Sequence, residues 1–264
     1  MKDQSTTADL DATQKLQEAE YAFPYHYIPH YENNKFRSFI HWSWGFRNLG
    51  GIKLVGDLLS ESTFASLLDV GCGDGRLINE IGKWYPAASL HGVDASEQAI
   101  AIAKALTRNA SFTVRDIIAE PLQQVADVVT LIEVLEHIPP ESCEAFIGSA
   151  ARAIKPGGRL ILTVPHVNKP VEKKHFRHFS KEDLLPLLAP HFSDLRFVAF
   201  DRLPSSSLEL GLIERIIGGR GRFFLITNQR LLGALYRRYL LRYLYCVSEK
   251  TCGRMAVVGL RRKT

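Results

Sequence analysis

The run Leu67-Leu68-Asp69-Val70-Gly71-Cys72-Gly73-Asp74-Gly75 constrains this chain more than any other stretch. An apolar segment that ends in three glycines within five residues reads as a buried strand entering a tight turn, with a helix beyond it. Glycine permits that turn and lets a ligand approach the backbone without meeting a Cβ. A dinucleotide fingerprint of the form G-x-G-x-x-G needs glycine at 71, 73 and 76, but position 76 is Arg76 and the third glycine is Gly75. Two carboxylates, Asp69 and Asp74, flank the turn. They would repel a pyrophosphate and attract a ligand bearing an ammonium.

From residue 65 onward, short apolar runs alternate with amphipathic stretches. Strands are expected at 65–70, 89–94, 111–116, 126–134, 159–165, 192–200 and 254–261. A helix from Gly75 to Trp84 stops before Pro86, and Ser96 caps a helix over 97–106. A third helix, from Glu141 to Ile154, is stopped by Lys155-Pro156-Gly157-Gly158, and Ser180 with Glu182 and Asp183 opens a fourth over 181–189. The fold class is therefore α/β, a doubly wound and mostly parallel sheet with helices on both faces. If the strands at 192–200 and 254–261 pair, the residues between them are an insertion. The chain divides into an N-terminal helical and aromatic lid region (1–61), a core (62–200), a basic amphipathic insertion (201–253), and a last strand with its tail (254–264).

The 264 residues are 46% hydrophobic and 23% charged, enough apolar surface for a sizeable core and too much for general disorder. The first twenty residues hold Asp3, Asp9, Asp11, Glu18 and Glu20 and no apolar core, which excludes a secretory signal or an Arg-rich transit peptide. No run approaches the ~18 apolar residues that cross a bilayer. The four cysteines form no C-x-x-C pair, which argues against a zinc knuckle or a disulfide scaffold and for a reducing cytoplasm.

Asp94 stands 23 residues beyond Gly71, at the carboxyl end of the second strand, where an acid accepts both hydroxyls of a ribose. Asp116 ends the third strand in the same way, and Val114, Ile117 and Ala95 supply apolar walls for a flat base. The implied ligand is a nucleoside carrying an amino acid and no phosphate, which is S-adenosylmethionine. With LLDVGCGDG (67–75), GVDAS (92–96), RDI (115–117), ADVVTLIEVLEHIPP (126–140) and IKPGGRLILTVP (154–165), the chain resembles the class I S-adenosylmethionine-dependent methyltransferases of the quinone-biosynthetic and small-molecule group, over about residues 62–200. The resemblance implies a Rossmann-like seven-stranded sheet with its last strand antiparallel. It also implies a cofactor site of Asp69, Gly71, Cys72, Gly73, Gly75, Asp94, Ala95, Asp116, Ile117 and Glu133. Within it Gly71, Gly73 and Gly75 line the methionine portion, Asp94 takes the ribose, Asp116 and Ile117 flank adenine, and Glu133 sits beside the cofactor.

Methyl transfer from a sulfonium is an in-line displacement, so catalysis rests largely on holding nucleophile, carbon and sulfur collinear. An alcohol acceptor needs a general base, a phenol less help, and a carboxylate none. The candidate bases are His137 after the fourth strand, His166 after the fifth, and His178 with His175 in KKHFRHFSKEDL; a structural role competes for each. Glu133-Val134-Leu135-Glu136-His137 reads as E-x-x-E-H, and with a later histidine resembles the metal site of the small-RNA 2'-O-methyltransferases. The same string is common in quinone-biosynthetic enzymes, where the first glutamate serves the cofactor, and no metal is assigned.

The flanks bear on the acceptor. Tyr21 to Tyr31 and then Phe36, Phe39, His41, Trp42, Trp44 and Phe46 make an aromatic N-terminal region, from which one or two of Tyr25, His26 and Tyr27 are expected to reach the site. Between Arg202 and Cys252 nine basic residues stand against three acidic ones. Over 229–247 Arg230, Arg237, Arg238 and Arg242 take one arc of a helix, and Leu232, Leu235, Tyr236, Tyr239, Leu240 and Tyr243 the other. Such a helix lies in an anionic headgroup layer with its apolar side down, packs that side on its own domain, or contacts a phosphate backbone such as that of RNA, the second being favoured. The expected function is methyl transfer to an oxygen of a small molecule: a sugar, a quinone precursor or a lipid-linked acceptor. The alternatives are an RNA 2'-O-methyltransferase with a divalent metal, or a non-catalytic S-adenosylmethionine-binding module. A cytoplasmic protein is expected, with residues 201–253 as a face for an anionic membrane and nucleic acid not the expected partner.

Overall fold

The computed structural model of the chain describes residues 11–21, 30–32, 35–37, 42–217 and 228–262. Helix α1 (Ala12–Glu18) is followed by a small antiparallel hairpin, β1 (His30–Glu32) and β2 (Lys35–Arg37), and by α2 (Trp42–Leu59). The core then runs β3 (Ser66–Val70), α3 (Arg76–Trp84), β4 (Ser89–Asp94), α4 (Glu97–Leu106), β5 (Ser111–Val114), β6 (Ala126–Ile132), α5 (Cys143–Ala153), β7 (Ile154–Pro165), α6 (Lys181–Leu188) and β8 (Phe192–Arg202). Helices α7 (Leu208–Ile217) and α8 (Gln229–Arg242) precede the final strand, β9 (Cys252–Arg261).

The seven large strands form one sheet in the order β5-β4-β3-β6-β7-β9-β8. Strands β3 to β7 are mutually parallel, and β9 runs antiparallel between β7 and β8. The expected doubly wound sheet with its last strand antiparallel is therefore what forms, and the strands at either end of the insertion do pair. Chain order reverses beside β3, so the carboxyl ends of β3, β4 and β6 open onto a common crevice, the place where sheets of this kind receive ligands. The central strands are buried along nearly their whole length because helices cover both faces. One face carries α2, α3, α4, α7 and α8 through Leu54, Ile78, Ile100, Ile213 and Leu232, and the other carries α5 and α6 through Ile147 and Leu184.

Local chemistry explains most element ends. Ser96 Oγ accepts the Ala99 N–H at 3.1 Å, and Ser180 forms a reciprocal capping box with Asp183. Two departures from the sequence reading have physical causes. Strand β7 begins at Ile154 rather than 159, because Ile154 pairs with Ala126 and the glycines at 157 and 158 absorb a bulge; a Cβ on Gly158 would lie 2.5 Å from the Asp127 carbonyl. The N-terminal region is not wholly helical, since His30-Tyr31-Glu32 and Lys35-Phe36-Arg37 alternate with the period of a strand around Asn33-Asn34. As favoured from the sequence, α8 turns its apolar side inward: Leu232 and Tyr239, with Tyr243 and Leu244 just beyond the helix, are buried in the core, and Leu235, Tyr236 and Leu240 pack against it.

The insertion is also anchored electrostatically. Asp201 at the end of β8 is fully buried and accepts from Tyr239 Oη at 2.8 Å, from Arg254 Nε at 3.1 Å and from Arg47 of α2, whose other nitrogen reaches Glu214 of α7 at 2.8 Å. This network joins α2, β8, α7, α8 and β9.

Candidate active site

The glycine turn is built by packing as much as by any ligand. Gly71 N and Cys72 N both donate to the Val93 carbonyl, at 2.8 and 3.1 Å, and Gly75 N closes the turn on the Cys72 carbonyl at 3.0 Å. Gly71, Gly73 and Gly75 all hold positive φ, at 72°, 53° and 74°. Their bare Cα atoms face different things. A Cβ at Gly71 would lie 2.5 Å from Val134 Cγ2, and one at Gly75 would meet Ala103 and Phe112 at 3.0 Å, so both are required by the protein interior. Gly73 alone looks toward the crevice, where a Cβ would stand 3.1 Å from the Tyr21 hydroxyl.

The acids divide in the same manner. Asp94 accepts from Gly73 N through one oxygen and from Ser96 N through the other, each at 2.9 Å, and burial raises its pKa above the ordinary carboxylate value. It braces the turn and keeps further acceptor positions on each oxygen. Asp69 is buried under the turn and accepts from Thr130 Oγ1 at 2.6 Å; burial lifts its pKa to about 7, against the lowering effect of that bond. Cys72 sends its sulfur into the core against the bare Cα of Gly92, and both its backbone N–H and its carbonyl are engaged within the turn. Asp116 and Ala95 are exposed at the crevice edge, whereas Ile117 is buried on the α5 side of the sheet, so Val114 and Ile118 are the apolar side chains exposed beside Asp116.

Beyond β6 the chain turns sharply. Glu133 has a φ of 56°, a strained value for a residue with a Cβ, and its carboxylate accepts from Thr163 Oγ1 at 2.9 Å. The single helical turn Leu135–His137 then presents Glu136 and His137. The loop before α6 folds back onto that turn through Phe176 N and the Glu136 carbonyl, 2.8 Å apart, and brings His175 alongside. Each of Glu136, His137 and His175 offers one donor atom, and these atoms all lie within 4.8 Å of one another.

The hydrogen bonds around this cluster determine where its protons sit. His137 Nδ1 meets the Lys174 carbonyl at 2.9 Å, and a carbonyl only accepts, so Nδ1 carries the hydrogen and Nε2 holds a lone pair. His178 Nδ1 donates likewise to the Lys169 carbonyl at 3.0 Å, leaving its Nε2 to accept from His175 Nδ1 at 2.9 Å. The lone pair of His175 is thus on Nε2. Burial lowers the pKa of all three, that of His175 to about 3 with His137 and His178 adding to the effect, so the rings are neutral. Glu136 is buried with neither carboxylate oxygen hydrogen-bonded among the described residues, and burial next to Glu133 holds its pKa well above the usual range.

The sequence candidates for the base therefore separate. His137 is half-buried with an available nitrogen. His178 has both nitrogens engaged and acts on His175, so it is not itself a free base. His166 is buried, with Nδ1 accepting from Asn168 N at 3.2 Å, and it shares no ring contact with the other three histidines among the described residues. His175, weighed only as one of the further bases, and Glu136, weighed only within E-x-x-E-H, complete the cluster. Tyr21 and Gln17 of the N-terminal segment also reach the crevice, and neither was singled out as a site residue. Tyr25, His26 and Tyr27 lie outside the described residues.

A family model for a methyltransferase domain matches residues 47–194, more than half of the chain. The chain belongs to this methyltransferase family. A ubiquinone biosynthesis O-methyltransferase from Pseudomonas aeruginosa is 32% identical over 160 residues, 58% of this chain and 66% of that relative's length. The enzyme of the same description from Hydrogenovibrio crunogenus is 30% identical over 186 residues, 67% of this chain and 74% of its own. The fold is shared with an N-methyltransferase, NodS, from Bradyrhizobium japonicum in complex with S-adenosyl-L-homocysteine (TM-score 0.58, 15% identity, 96% of this chain and 100% of that one). It is shared too with a SAM-dependent methyltransferase from Archaeoglobus fulgidus (TM-score 0.55, 17% identity, 81% and 94%). S-adenosylmethionine is the cofactor of the methyltransferase family to which the chain belongs.

Proposed function

We propose that this methyltransferase methylates an oxygen of a small aromatic acceptor, a phenolic or catechol hydroxyl of the quinone-precursor type. The observation that carries this reading is the neutral His137, whose Nε2 lone pair stands beside the cofactor edge of β6 in a half-buried site. S-adenosylmethionine, when bound, supplies an electrophilic methyl group with a good leaving group. The chain's own part is to hold the two reactants in line and to take up the hydroxyl proton at His137 Nε2. The Lys174 carbonyl fixes the imidazole in the tautomer that can do so. The relatives of Pseudomonas and Hydrogenovibrio, described as O-methyltransferases of ubiquinone biosynthesis, support the acceptor class. The test is S-adenosylhomocysteine production by the purified chain from a catechol acceptor, compared with the matching aniline. Turnover of the aniline and not the catechol would remove the assignment to oxygen.

A second reading is favoured by the orphaned oxygens of Glu136. One carboxylate and two imidazoles whose Nε2 lone pairs are left available because each Nδ1–H donates, to the Lys174 carbonyl and to His178 Nε2, suit a divalent cation, with Glu136, His137 and His175 as its holders. Such an ion would supply Lewis acidity that favours the ionised form of an acceptor hydroxyl. Undiminished turnover after complete chelation would discard it and leave His137 as the base.

For the insertion, the outward arc of α8 holds Arg230, Arg237, Arg238 and Arg242 around Leu241, which is 85% exposed. Arg238 and Arg242 pair with Glu209. This face supports peripheral contact with an anionic membrane by charge rather than by insertion. Among the described residues no helix is long and apolar enough to cross a bilayer. Flotation with anionic vesicles tests it, and absence of salt-sensitive binding would exclude the contact.

A further inference from the structure

The loop between β7 and α6 carries Lys169, Lys173, Lys174 and Arg177 past the histidine cluster, and their charges are used differently. Lys174 is taken by Glu20, Arg177 lies over the Phe179 ring at 4.5 Å, and Lys173 is exposed. Lys169 is half-buried, and its ammonium has no ion pair or hydrogen bond among the described residues. Its backbone is fixed on both sides: the N–H donates to the His166 carbonyl at 3.0 Å, and the carbonyl accepts from His178 Nδ1 at 3.0 Å. The side chain runs across the start of β9, where Gly253 leaves room for it; a Cβ there would lie 3.3 Å from Lys169 Cδ. From that position its charge bears on Glu136, His175 and His178. A partly desolvated cation is best matched by a negative charge, and no described side chain supplies one by contact.

Methylation of a phenolic oxygen creates such a charge. An imidazole ordinarily titrates at about 6.5 and a phenol at about 10, so passing the acceptor proton to His137 Nε2 runs about three orders of magnitude uphill unless the phenolate is stabilised. We propose that Lys169 is a catalytic residue whose ammonium stabilises the acceptor phenolate as His137 takes the proton. The inference rests on the oxygen-methylation reading. In the step, the acceptor O–H bond breaks toward His137 Nε2 and the oxygen keeps the electron pair. That pair forms the new bond to the methyl carbon while the C–S bond breaks onto sulfur. Lys169 neither gains nor loses a proton; it acts by charge, and more strongly in a half-buried site than in water. Its effect is greatest for weakly acidic acceptors, so it also selects which hydroxyls react.

Binding of 4-nitrocatechol to the S-adenosylhomocysteine complex of the chelator-treated chain tests it, because the phenol and the phenolate absorb at different wavelengths. In the wild type the bound ligand is expected to ionise at a pH at least about one unit below that of the free ligand. Lys169→Met abolishes that difference while S-adenosylhomocysteine affinity, which reports folding, is kept; Lys169→Arg preserves most of it. In turnover, Lys169→Met slows catechol by about tenfold or more and the more acidic 4-nitrocatechol much less. An ionisation unshifted in the wild type, or shifted equally in Lys169→Met, would overturn the assignment. So would a shift that appears only when magnesium or zinc is added, which gives the charge to an ion. An effect of Lys169→Met confined to KM for carboxylated catechols would also overturn it and make the lysine a carboxylate dock. Turnover of the aniline and not the catechol removes the oxygen reading and this assignment with it, whereas catechol turnover indifferent to Lys169 removes this assignment alone.

Discussion

Asp94→Asn separates a ribose acceptor from a mere loop brace. The carboxylate takes the Gly73 and Ser96 N–H groups at 2.9 Å, one on each oxygen. A carboxylate has about four acceptor positions, so about two remain for the ribose hydroxyls. Asparagine keeps one acceptor oxygen and must turn its amide nitrogen toward one of the two backbone N–H groups, donor against donor. Loss of a hydrogen bond to a charged group costs about 1.5–3 kcal/mol, which is roughly a ten- to hundredfold rise in Kd. Calorimetry with S-adenosylhomocysteine reads this directly, and adenosine alone should weaken by the same factor because the carboxylate acts on the ribose. The mispaired N–H adds a stability loss of about 1–3 kcal/mol, and a chain of this size loses about 2–4 °C in Tm per kcal/mol. A lowered Tm with wild-type affinity for both ligands would refute the ribose contact and leave Asp94 as a brace alone.

Asp201→Ala strands the guanidiniums of Arg47 and Arg254 in a buried site and is expected to cost about 3–5 kcal/mol in denaturant unfolding. Burial alone would raise the Asp201 pKa, but Arg254 and Arg47 outweigh it and hold it below the ordinary value. Its contribution is therefore present above the unfolded carboxylate pKa and lost as pH falls through the lower folded one, so acid titration of stability in wild type and variant should converge at low pH. Gly71→Ala forces a Cβ into Val134 at a φ of 72° and should cost about 1–3 kcal/mol from backbone strain alone, partly recovered by Val134→Ala. Gly73→Ala carries the same kind of backbone strain, at a φ of 53°, but its Cβ meets only the Tyr21 hydroxyl, at 3.1 Å, so it should lower cofactor affinity in addition to stability. For His137 the base is the neutral ring and burial lowers its pKa from 6.5, so the acid limb of the pH–rate profile should lie below pH 6.5 and vanish with the residual rate of His137→Ala; an acid limb above 7 would count against it.

Much of the fold was legible because its signals are local. The alternation of apolar runs and capped helices, the glycine turn and the acid 23 residues on all lie within one βαβ unit, where chain connectivity already dictates proximity. Element ends were less legible where pairing extends a strand past its propensity, as at Ile154 and Arg202. The apolar and basic arcs of α8 could be read from the helical period, but which arc faces the protein was decided by the core that Leu232 and Tyr239 help to fill.

By itself the sequence determined the doubly wound architecture, the left-handed glycines and the position of Asp94, since each follows from backbone sterics and short-range pairing. Tertiary structure alone decided the composition of the histidine cluster. Glu136 and His137 meet His175 only because the loop before α6 returns to the end of β6, and His178 and two backbone carbonyls then fix which ring nitrogens keep their lone pairs. Proton positions of that kind depend on partners that are remote along the chain, and no spacing within a single segment encodes them.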